Sequence, residues 1–271
     1  MSSPHRDALI IAGPNGAGKS TIFPAIRSIS QDASPYVPGE IPAENFVNAD
    51  TIASQHGVST LAAGRLALRS IDEHISRRNN FALETTLSGL AYQQTFKKLK
   101  ANGYRIYISF IWLRSHELSV IRVVQRALVG KHYIPLDSLI SRFSKSLLNF
   151  TYLYRKYADF WVLADNSGIS PEITAWGGSI FSSNKAVYCE DKQSLLRFAD
   201  LLTRLGCEEF NGKFPEFRID GERVNPHETD RLTPMILETI NSAVREEIAK
   251  RPAGTTISIW GETDEPQFLF A

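Results

Sequence analysis

Short apolar runs alternate with more polar stretches through the first two thirds of the chain. Apolar and β-branched residues cluster in five runs, which predict buried strands at 8–12, 46–49, 81–83, 104–113 and 160–163. The intervening segments predict helices directly after residue 19, at 60–78, between 86 and 102, at 115–128 and at 139–157. The last of these is the clearest, because its apolar residues recur at steps of three and four.

Strands that alternate with helices are typical of a parallel sheet covered on both faces. The run at 104–113 is the longest and predicts a central strand. In the helix at 60–78 we expect the buried side to consist of Leu61, Leu68, Ile71 and Ile75. The polar clusters of interest follow the strands directly, and open α/β sheets bind ligands at that edge. The predicted fold class is therefore α/β, with a doubly wound parallel sheet.

A Gly- and Ser-rich stretch at 176–184 predicts a boundary between two units. After it, the pattern predicts a strand at 186–189, a helix at 192–205 that Gly206 ends, and a hairpin at 217–224 with Asp-Gly at its turn. A helix at 229–250 and a strand at 256–260 complete a small α+β module. We therefore divide the chain into a sheet domain, 1–180, and a C-terminal module, 181–271.

Charge distinguishes these two parts of the 271-residue chain. The whole carries a net charge of +1, whereas the first 180 residues carry 19 basic and 13 acidic side chains and the remainder 11 and 16. Overall balance argues against a general nucleic-acid coat or a membrane-surface protein, so we expect neither partner. No apolar run approaches the roughly 18 residues of a membrane span. The two cysteines exclude a disulfide framework, which fits a reducing, cytoplasmic compartment.

A glycine-rich loop between the first strand and the first helix carries the most specific chemistry. It fits the pattern G-x-x-x-x-G-K-[ST], in which backbone N–H groups and a helix N-terminus surround phosphates. The candidate nucleotide-binding residues are Gly13, Pro14, Asn15, Gly16, Ala17, Gly18, Lys19, Ser20 and Thr21. Lys19 is expected on the β- and γ-phosphates, and the Ser20 hydroxyl on Mg²⁺. The sequence thus predicts a nucleoside triphosphate, with ATP and Mg²⁺ as cofactors.

The ends of the other strands narrow the class of protein. There is no N-K-x-D motif for guanine, and the run Phe110-Ile-Trp-Leu113 at the end of the longest predicted strand is followed by Arg114 rather than by the Asp that an ABC-type ATPase carries. Asp50 follows the second strand and Glu84-Thr85-Thr86 the third, and a carboxylate facing the γ-phosphate suits a hydroxyl acceptor. Arg126 and Arg142, with Arg122, lie in a helix–loop–helix segment that could close over phosphates. This set favours a small-molecule kinase with a helical lid.

Together these motifs resemble the zeta toxins, P-loop kinases of bacterial toxin–antitoxin systems. The resemblance spans roughly 9–167 and rests on 13–21, Phe46-Val-Asn-Ala-Asp50, Phe81-Ala-Leu-Glu-Thr-Thr-Leu-Ser88, 122–135 with Arg142, and Trp161-Val-Leu-Ala-Asp-Asn-Ser167. It implies transfer of the ATP γ-phosphate to the 3′-hydroxyl of the sugar in UDP-N-acetylglucosamine. It also implies a possible protein antitoxin as partner. A kinase for another sugar nucleotide or metabolite, and a P-loop ATPase or interaction module, remain the alternatives.

The resemblance also assigns roles to individual residues. By similarity, Asp50 is the catalytic base, and Arg126 and Arg142 join Lys19 on the phosphates. Glu84 and Thr86 match the substrate-contacting E-x-T pair, and Asn48 and His132 are further candidate substrate contacts, His132 in a lid loop where relatives often carry Gly-Gly-His.

Structural roles compete with several of these assignments. Asp50 could cap the helix that begins at Thr51. Glu84 could be the buried partner of an arginine, and Asn48 only a hydrogen bonder at a strand end. Asp165 and Asn166 could simply shape the turn after the last strand, a turn expected near the adenine.

The acidic module at 181–271 carries no recognisable nucleophile, metal cluster or phosphate loop. Three roles are open for it. It could mediate oligomerisation or partner binding, inhibit the basic domain within the chain, or help to select the acceptor. The contrast in charge between the two parts motivates the second of these.

Overall fold

The computed structural model describes residues 6–22, 38–128, 134–179 and 187–209, together with two short strands at 218–219 and 222–223. Seven strands form one sheet in the order β2-β3-β1-β4-β5-β6-β7. The strands are β1 Arg6–Ala12, β2 Phe46–Asn48, β3 Phe81–Thr85, β4 Tyr104–Trp112, β5 Phe160–Asp165, β6 Glu172–Gly177 and β7 Val187–Cys189. The first five pair in parallel, while β6 and β7 are antiparallel to their neighbours. The predicted α/β class and the central position of β4 are confirmed.

The helices connect the strands as the sequence pattern predicts. They are α1 Ala49–His56, α2 Thr60–Arg77, α3 Tyr92–Ala101, α4 His116–Leu128, α5 Leu136–Asn149 and α6 Lys192–Glu209, preceded by a helical turn at 19–22. A π-helical turn, Phe150–Tyr154, and a 3-10 turn, Arg155–Tyr157, continue α5 toward β5. A further 3-10 turn, Ala43–Asn45, precedes β2. The predicted helix at 139–157 is therefore an α-helix only as far as Asn149.

The buried face of α2 differs from the one expected. Leu61 is 68% exposed, whereas Ala63, Ala67, Ile71 and Ile75 are buried. These four residues recur every fourth position and form one stripe, and Leu61 lies in the first turn away from it. The small alanine side chains permit a close approach, so this helix packs through a stripe that counting large apolar residues does not reveal.

The sheet and its core continue beyond the predicted boundary at 176–184. β6 is an unpredicted strand, and β7 pairs with it. The apolar side of α6 joins the same core as the parallel strands, through Leu195, Phe198, Leu201, Leu202 and Leu205. Division at residue 180 therefore separates α6 from a core to which it contributes.

A buried chain of polar groups ties these late elements to the centre of the sheet. The indole Nε1 of Trp112 donates to the Thr174 hydroxyl at 3.2 Å, and that hydroxyl lies 2.9 Å from the hydroxyl of Ser194. β4, β6 and α6 are thus connected by hydrogen bonds as well as by packing.

Part of the predicted C-terminal module is also described. The strand at β7 and the hairpin are confirmed, the latter as antiparallel strands β8 Arg218–Ile219 and β9 Glu222–Arg223. Gly206 does not end α6, which runs to Glu209. The helix and strand predicted at 229–250 and 256–260 lie outside the described residues. Across the described segments, none of the helices combines the length and apolarity that crossing a membrane requires.

Candidate active site

The glycine-rich loop leaves β1 at the middle of the sheet and leads into the helical turn at 19–22. Gly13 has φ +142°, and a Cβ there would lie 2.0 Å from the Ile111 carbonyl oxygen. Gly18 has φ +87°, and a Cβ there would lie 2.5 Å from Nδ2 of Asn166. Both the backbone conformation and the available space therefore require glycine, and the predicted P-loop has the tight turn that its motif demands.

Side chains from neighbouring elements hold the P-loop in place. Ser119, on α4, donates its hydroxyl to the Asn15 carbonyl at 2.6 Å, and Asn166 donates Nδ2 to the Ala17 carbonyl at 2.8 Å. Arg122 donates Nη1 to the Asn166 carbonyl at 2.7 Å. Its guanidinium therefore supports Asn166, which in turn supports the P-loop. Ser119 was not expected from sequence, because nothing in a lone serine indicates a partner more than one hundred residues away.

The side chains of Asp165 and Asn166 hold the turn that follows β5, and a contact with the adenine stays a prediction. Asp165 is buried and accepts from Nε of Arg114 and from the backbone N–H of Ser167, both at 2.8 Å. The alternative in which Asp165 and Asn166 shape the turn after the last strand is therefore confirmed. Asn166 has a second structural role, since its Nδ2 also donates to the Ala17 carbonyl of the P-loop.

Lys19 lies at the centre of the site. Its side chain is buried, and Nζ donates to the carbonyls of Gly13 and Pro14 at 2.9 Å each. Burial lowers the pKa of Lys19 from 10.5 to about 8, the charges of Glu84 and Asp50 act in the opposite direction, and the charge of Arg126 lowers it further. The charges of three side chains predicted from separate strands and helices thus act on the P-loop ammonium.

Glu84 contacts the P-loop directly. Both of its carboxylate oxygens lie within hydrogen-bonding distance of the Ser20 hydroxyl, at 2.9 and 3.0 Å. Glu84 is near the end of β3, which lies between β1 and β2, and is paired with Ile11 on one side and Asn48 on the other. Among the described residues, Glu84 is bonded to a P-loop hydroxyl rather than to an arginine, so the structural alternative considered for it does not hold.

Asn48, not Asp50, caps the helix after β2. Its Oδ1 accepts from the backbone N–H groups of Asp50 at 2.8 Å and Thr51 at 3.3 Å. The expectation that Asp50 could be the cap is therefore wrong, while the strand-end role of Asn48 is confirmed. Asp50 lies in the first turn of α1 with an exposed side chain, where the helix N-terminus favours a carboxylate. A contact between Asn48 and substrate stays a prediction.

The segment after β3 turns sharply. Leu87 is buried and has φ +52°, a left-handed conformation that costs a non-glycine residue about 1–2 kcal/mol. The Thr85 hydroxyl accepts from the backbone N–H of Leu87 at 3.1 Å, and the hydroxyls of Thr86 and Ser88 lie 2.8 Å apart. The predicted E-x-T pair, Glu84 and Thr86, therefore stands at the start of a strained turn.

The predicted lid is described in part. Arg126 lies in the last turn of α4, and its Nε is buried with no hydrogen-bond partner within the part of the chain that the structure describes. Arg142 is partly buried on α5. His132 lies outside the described residues, together with the rest of the loop at 129–133. A buried guanidinium donor without a partner is costly, and a phosphate oxygen is a fitting acceptor for it.

The described part of the protein provides few side-chain ligands for a metal ion. Over the described ranges, no group of three or more His, Cys, Asp and Glu side chains is placed to hold one. Mg²⁺ commonly takes only one or two protein ligands and otherwise binds phosphates and water. The Ser20 hydroxyl, with the Glu84 carboxylate beside it, fits a Mg²⁺ ion that arrives with a nucleotide.

Comparison with known proteins agrees with this geometry. The family model described as Zeta toxin matches residues 1–169. An uncharacterized protein from Haemophilus influenzae is 30% identical over 141 residues, which cover 50% of this chain and 91% of the relative.

Solved structures show the same fold at low sequence identity. A native AvrRxo1-ORF1:ORF2 complex has a TM-score of 0.55 at 14% identity, covering 90% of this chain and 75% of its own. The AvrRxo1-ORF1:ORF2 complex crystallised with ATP has a TM-score of 0.53 at 16% identity, covering 89% and 76%. Zeta toxins are P-loop kinases of toxin–antitoxin systems, and the family match spans more than half of the chain. The protein therefore belongs to the zeta toxin family.

Proposed function

We propose that this protein transfers the γ-phosphate of ATP to the sugar 3′-hydroxyl of UDP-N-acetylglucosamine, and so acts as the toxin of a toxin–antitoxin pair. The observation that carries the proposal is that Glu84 is hydrogen-bonded to the Ser20 hydroxyl of the P-loop, while the charges of Asp50, Glu84 and Arg126, from three different elements, all act on the neighbouring Lys19. A phosphate-binding ammonium, two carboxylates and an arginine are the parts that transfer to a hydroxyl needs.

The nucleotide half of the site follows from the P-loop. Loop N–H groups and Lys19 would bind the β- and γ-phosphates, and the buried Nε of Arg126 would donate to a phosphate oxygen. Ser20 would hold Mg²⁺, which neutralises charge on the β- and γ-oxygens when bound. Arg142 would approach the same oxygens from α5. The phosphates are thereby drawn into line with the acceptor.

The transfer step assigns Asp50 as the base. The acceptor hydroxyl oxygen bonds to the γ-phosphorus, the bond from that phosphorus to the β–γ bridging oxygen breaks, and the hydroxyl proton passes to the Asp50 carboxylate. Because Asn48 caps α1, the Asp50 side chain is not committed to that role and is exposed to an incoming hydroxyl. Arg126 and Arg142 would stabilise negative charge on the transferring group.

The acceptor itself is proposed from the family. Glu84, Thr86, Asn48 and His132 would contact the sugar nucleotide. The excess of basic side chains in the first 180 residues favours an acceptor that carries phosphate groups, as a nucleoside diphosphate sugar does.

Mass spectrometry of UDP-N-acetylglucosamine incubated with the protein, ATP and Mg²⁺ tests the proposal. One added phosphate group is expected, and Asp50→Asn should lower its rate of formation about 10²–10⁴-fold while ATP still binds. Asp72→Asn is the matched control, since Asp72 is an exposed helical carboxylate paired with Lys98. A wild-type rate of transfer by Asp50→Asn would show that Asp50 is not the catalytic base. ATP binding without any product, both from the full chain and from a chain that ends after Glu209, would show that the acceptor is another metabolite, or that the protein is an ATPase or interaction module.

The C-terminal module, 181–271, keeps its three proposed roles. They are binding of a partner such as an antitoxin, inhibition of the kinase within the chain, and selection of the acceptor. A chain that ends after Glu209 distinguishes them better than one that ends at 180, because β7 and α6 belong to the core. Raised transfer by the shortened chain would support inhibition. Equal activity with a changed acceptor preference would support selection, and unchanged behaviour in both would leave partner binding.

A further inference from the structure

Three side chains from one helical segment donate to the loop that follows β3. The Ser146 hydroxyl donates to the Thr86 carbonyl, Asn149 Nδ2 to the Leu87 carbonyl at 2.9 Å, and the Tyr154 hydroxyl to the Gly89 carbonyl at 2.6 Å. We call residues 86–89 the acceptor loop and residues 136–154 the arm. Because three carbonyls of this short loop accept hydrogen bonds from the arm, both the position and the orientation of the loop relative to the arm are fixed.

The acceptor loop needs such support. Leu87 combines a buried side chain with a left-handed backbone, which persists only where the surroundings hold it. The loop's own bonds, between Thr85 and Leu87 and between Thr86 and Ser88, use side-chain oxygens. The carbonyls of Thr86, Leu87 and Gly89 instead accept hydrogen bonds from the arm, so the arm determines which way these three carbonyls face.

The π-helical turn at Phe150–Tyr154 makes this arrangement possible. In a continuous α-helix, five residues would place Tyr154 about 140° around the axis from Asn149. A π-helical turn bonds residue i to i+5 and brings such residues to one face, and such turns occur frequently at functional sites. Ser146 and Tyr154 are fully buried, so both donors are held by packing as well.

The arm also carries a lid residue. Arg142 precedes Ser146 by four residues and therefore lies on the same side of α5, one turn nearer the lid loop. The segment that orients Thr86 thus also carries an arginine proposed to contact the transferring phosphoryl group. Movement of the arm would shift both together.

We propose that Ser146, Asn149 and Tyr154 are positioning residues that join the acceptor loop to the arm, so that the acceptor hydroxyl and Arg142 are aligned as one unit. This inference rests on the proposed function of the site as a phosphotransferase. It assigns the three side chains an effect on transfer to the acceptor rather than on ATP affinity, because their bonds touch the acceptor loop and not the P-loop.

The test compares Ser146→Ala, Asn149→Ala and Tyr154→Phe with a matched control, Thr151→Val. The Thr151 hydroxyl lies in the same segment and donates to the Leu147 carbonyl at 2.9 Å, so its loss removes a bond within the arm itself. Each positioning variant should lower kcat/KM for UDP-N-acetylglucosamine about tenfold, the order expected for a buried donor that leaves a carbonyl unpaired. The Kd for ATP should stay at the wild-type value in all four variants.

A purely structural role would give another pattern. It would lower the Tm of Tyr154→Phe and Thr151→Val alike and would leave kcat/KM for the acceptor equal in the two, which would overturn the inference. A parallel loss of ATP affinity in the positioning variants would overturn it as well. Hydrogen exchange in the full chain adds a second readout: the Leu87 and Ser88 amides should exchange faster in Tyr154→Phe and not in Thr151→Val.

Failure of the proposed acceptor is distinguished from failure of this inference. If the wild-type chain leaves UDP-N-acetylglucosamine unlabelled, the same variants are compared with γ-labelled ATP and a small-molecule cell extract as acceptor. Lower labelling by the positioning variants, with Thr151→Val unchanged, would then support the inference with a different acceptor. Equal labelling would refute it while transfer itself stands.

Discussion

Nucleotide affinity should depend on pH through Lys19. Its pKa in the free protein is about 8, because the ammonium is buried. Phosphate groups favour the charged form, so the pKa must rise when ATP binds. Below pH 8 the free protein already carries the proton, whereas above pH 8 binding requires proton uptake. The apparent Kd for ATP should therefore be flat below this value and rise above it.

The magnitude follows from the pKa. At pH 9, about nine tenths of the free protein has a neutral Lys19, so the apparent Kd should be about tenfold higher than at pH 7. The difference from the ordinary value of 10.5 corresponds to a net cost of about 3 kcal/mol for the charged form, with burial as its largest cause. The unfolded chain keeps its proton up to about 10.5, so the contribution of Lys19 to the free energy of unfolding of the nucleotide-free protein should rise between about pH 8 and 10.5.

Isothermal titration calorimetry of ATP binding between pH 7 and about 9.5 is the assay, with Lys19→Arg as the control, since arginine stays charged over the whole range. Whatever its affinity, Lys19→Arg should give a far smaller change with pH than the wild-type chain. Proton uptake should also appear as a dependence of the measured enthalpy on the buffer. A wild-type Kd that is as flat as that of Lys19→Arg would refute the reasoning. It would mean that the bonds from Nζ to the Gly13 and Pro14 carbonyls outweigh the effect of burial.

Three further predictions concern stability and the support of the P-loop. Gly13→Ala forces a Cβ to 2.0 Å from a carbonyl oxygen and should lower the free energy of unfolding, measured by urea titration, by about 3 kcal/mol. Gly64→Ala, with open space around it in α2, should raise this free energy by about 0.5–1 kcal/mol. Equal effects of the two substitutions would show that the backbone at Gly13 adjusts to the added Cβ. Thr174→Val leaves the Trp112 indole and the Ser194 hydroxyl without their shared partner and should cost about 1–3 kcal/mol, and an unchanged Tm would contradict this. Asn166→Ala removes one brace of the P-loop and should weaken ATP binding about tenfold, measured by calorimetry at pH 7, a result that would be contradicted by wild-type affinity.

Local rules account for what the sequence predicts well. The strands β1 and β4 are rich in apolar residues because nearly every position on both faces of these inner strands is buried. The P-loop could be identified because its glycines, Lys19 and Ser20 form a motif within eight consecutive residues, although Ser119 and Asn166, which hold the loop in place, lie far away in the sequence. Asp50 and Glu84 could be expected beside the P-loop because the carboxyl ends of parallel strands share an edge of the sheet, whereas the assignment of Arg126, on α4, came from the lid pattern and the family resemblance.

Long-range partners account for what the sequence does not predict. The donors to the acceptor loop lie about sixty residues from their carbonyls, and Ser146, Asn149 and Tyr154 have no feature that marks them. Capping by Asn48 instead of Asp50 depends on where β2 ends, and its pairing with β3 through Glu84 decides that. β6 was missed because it begins with the exposed residues Glu172 and Ile173, so its burial pattern is not that of an inner strand.

The proposed base, Asp50, and the P-loop follow two strands of the sheet that differ in the free energy needed for local unfolding. Among the described strands, β2, three residues long, lies at the edge of the sheet, pairs with β3 alone and ends two residues before Asp50. β1, which leads into the P-loop, is flanked by β3 and β4. Local opening of an edge needs less free energy than exposure of a central strand. Fluctuation of the edge would therefore withdraw the proposed base while the nucleotide stays bound. In mild denaturant, the protein should then become a nucleotide-binding protein without transferase activity before it unfolds.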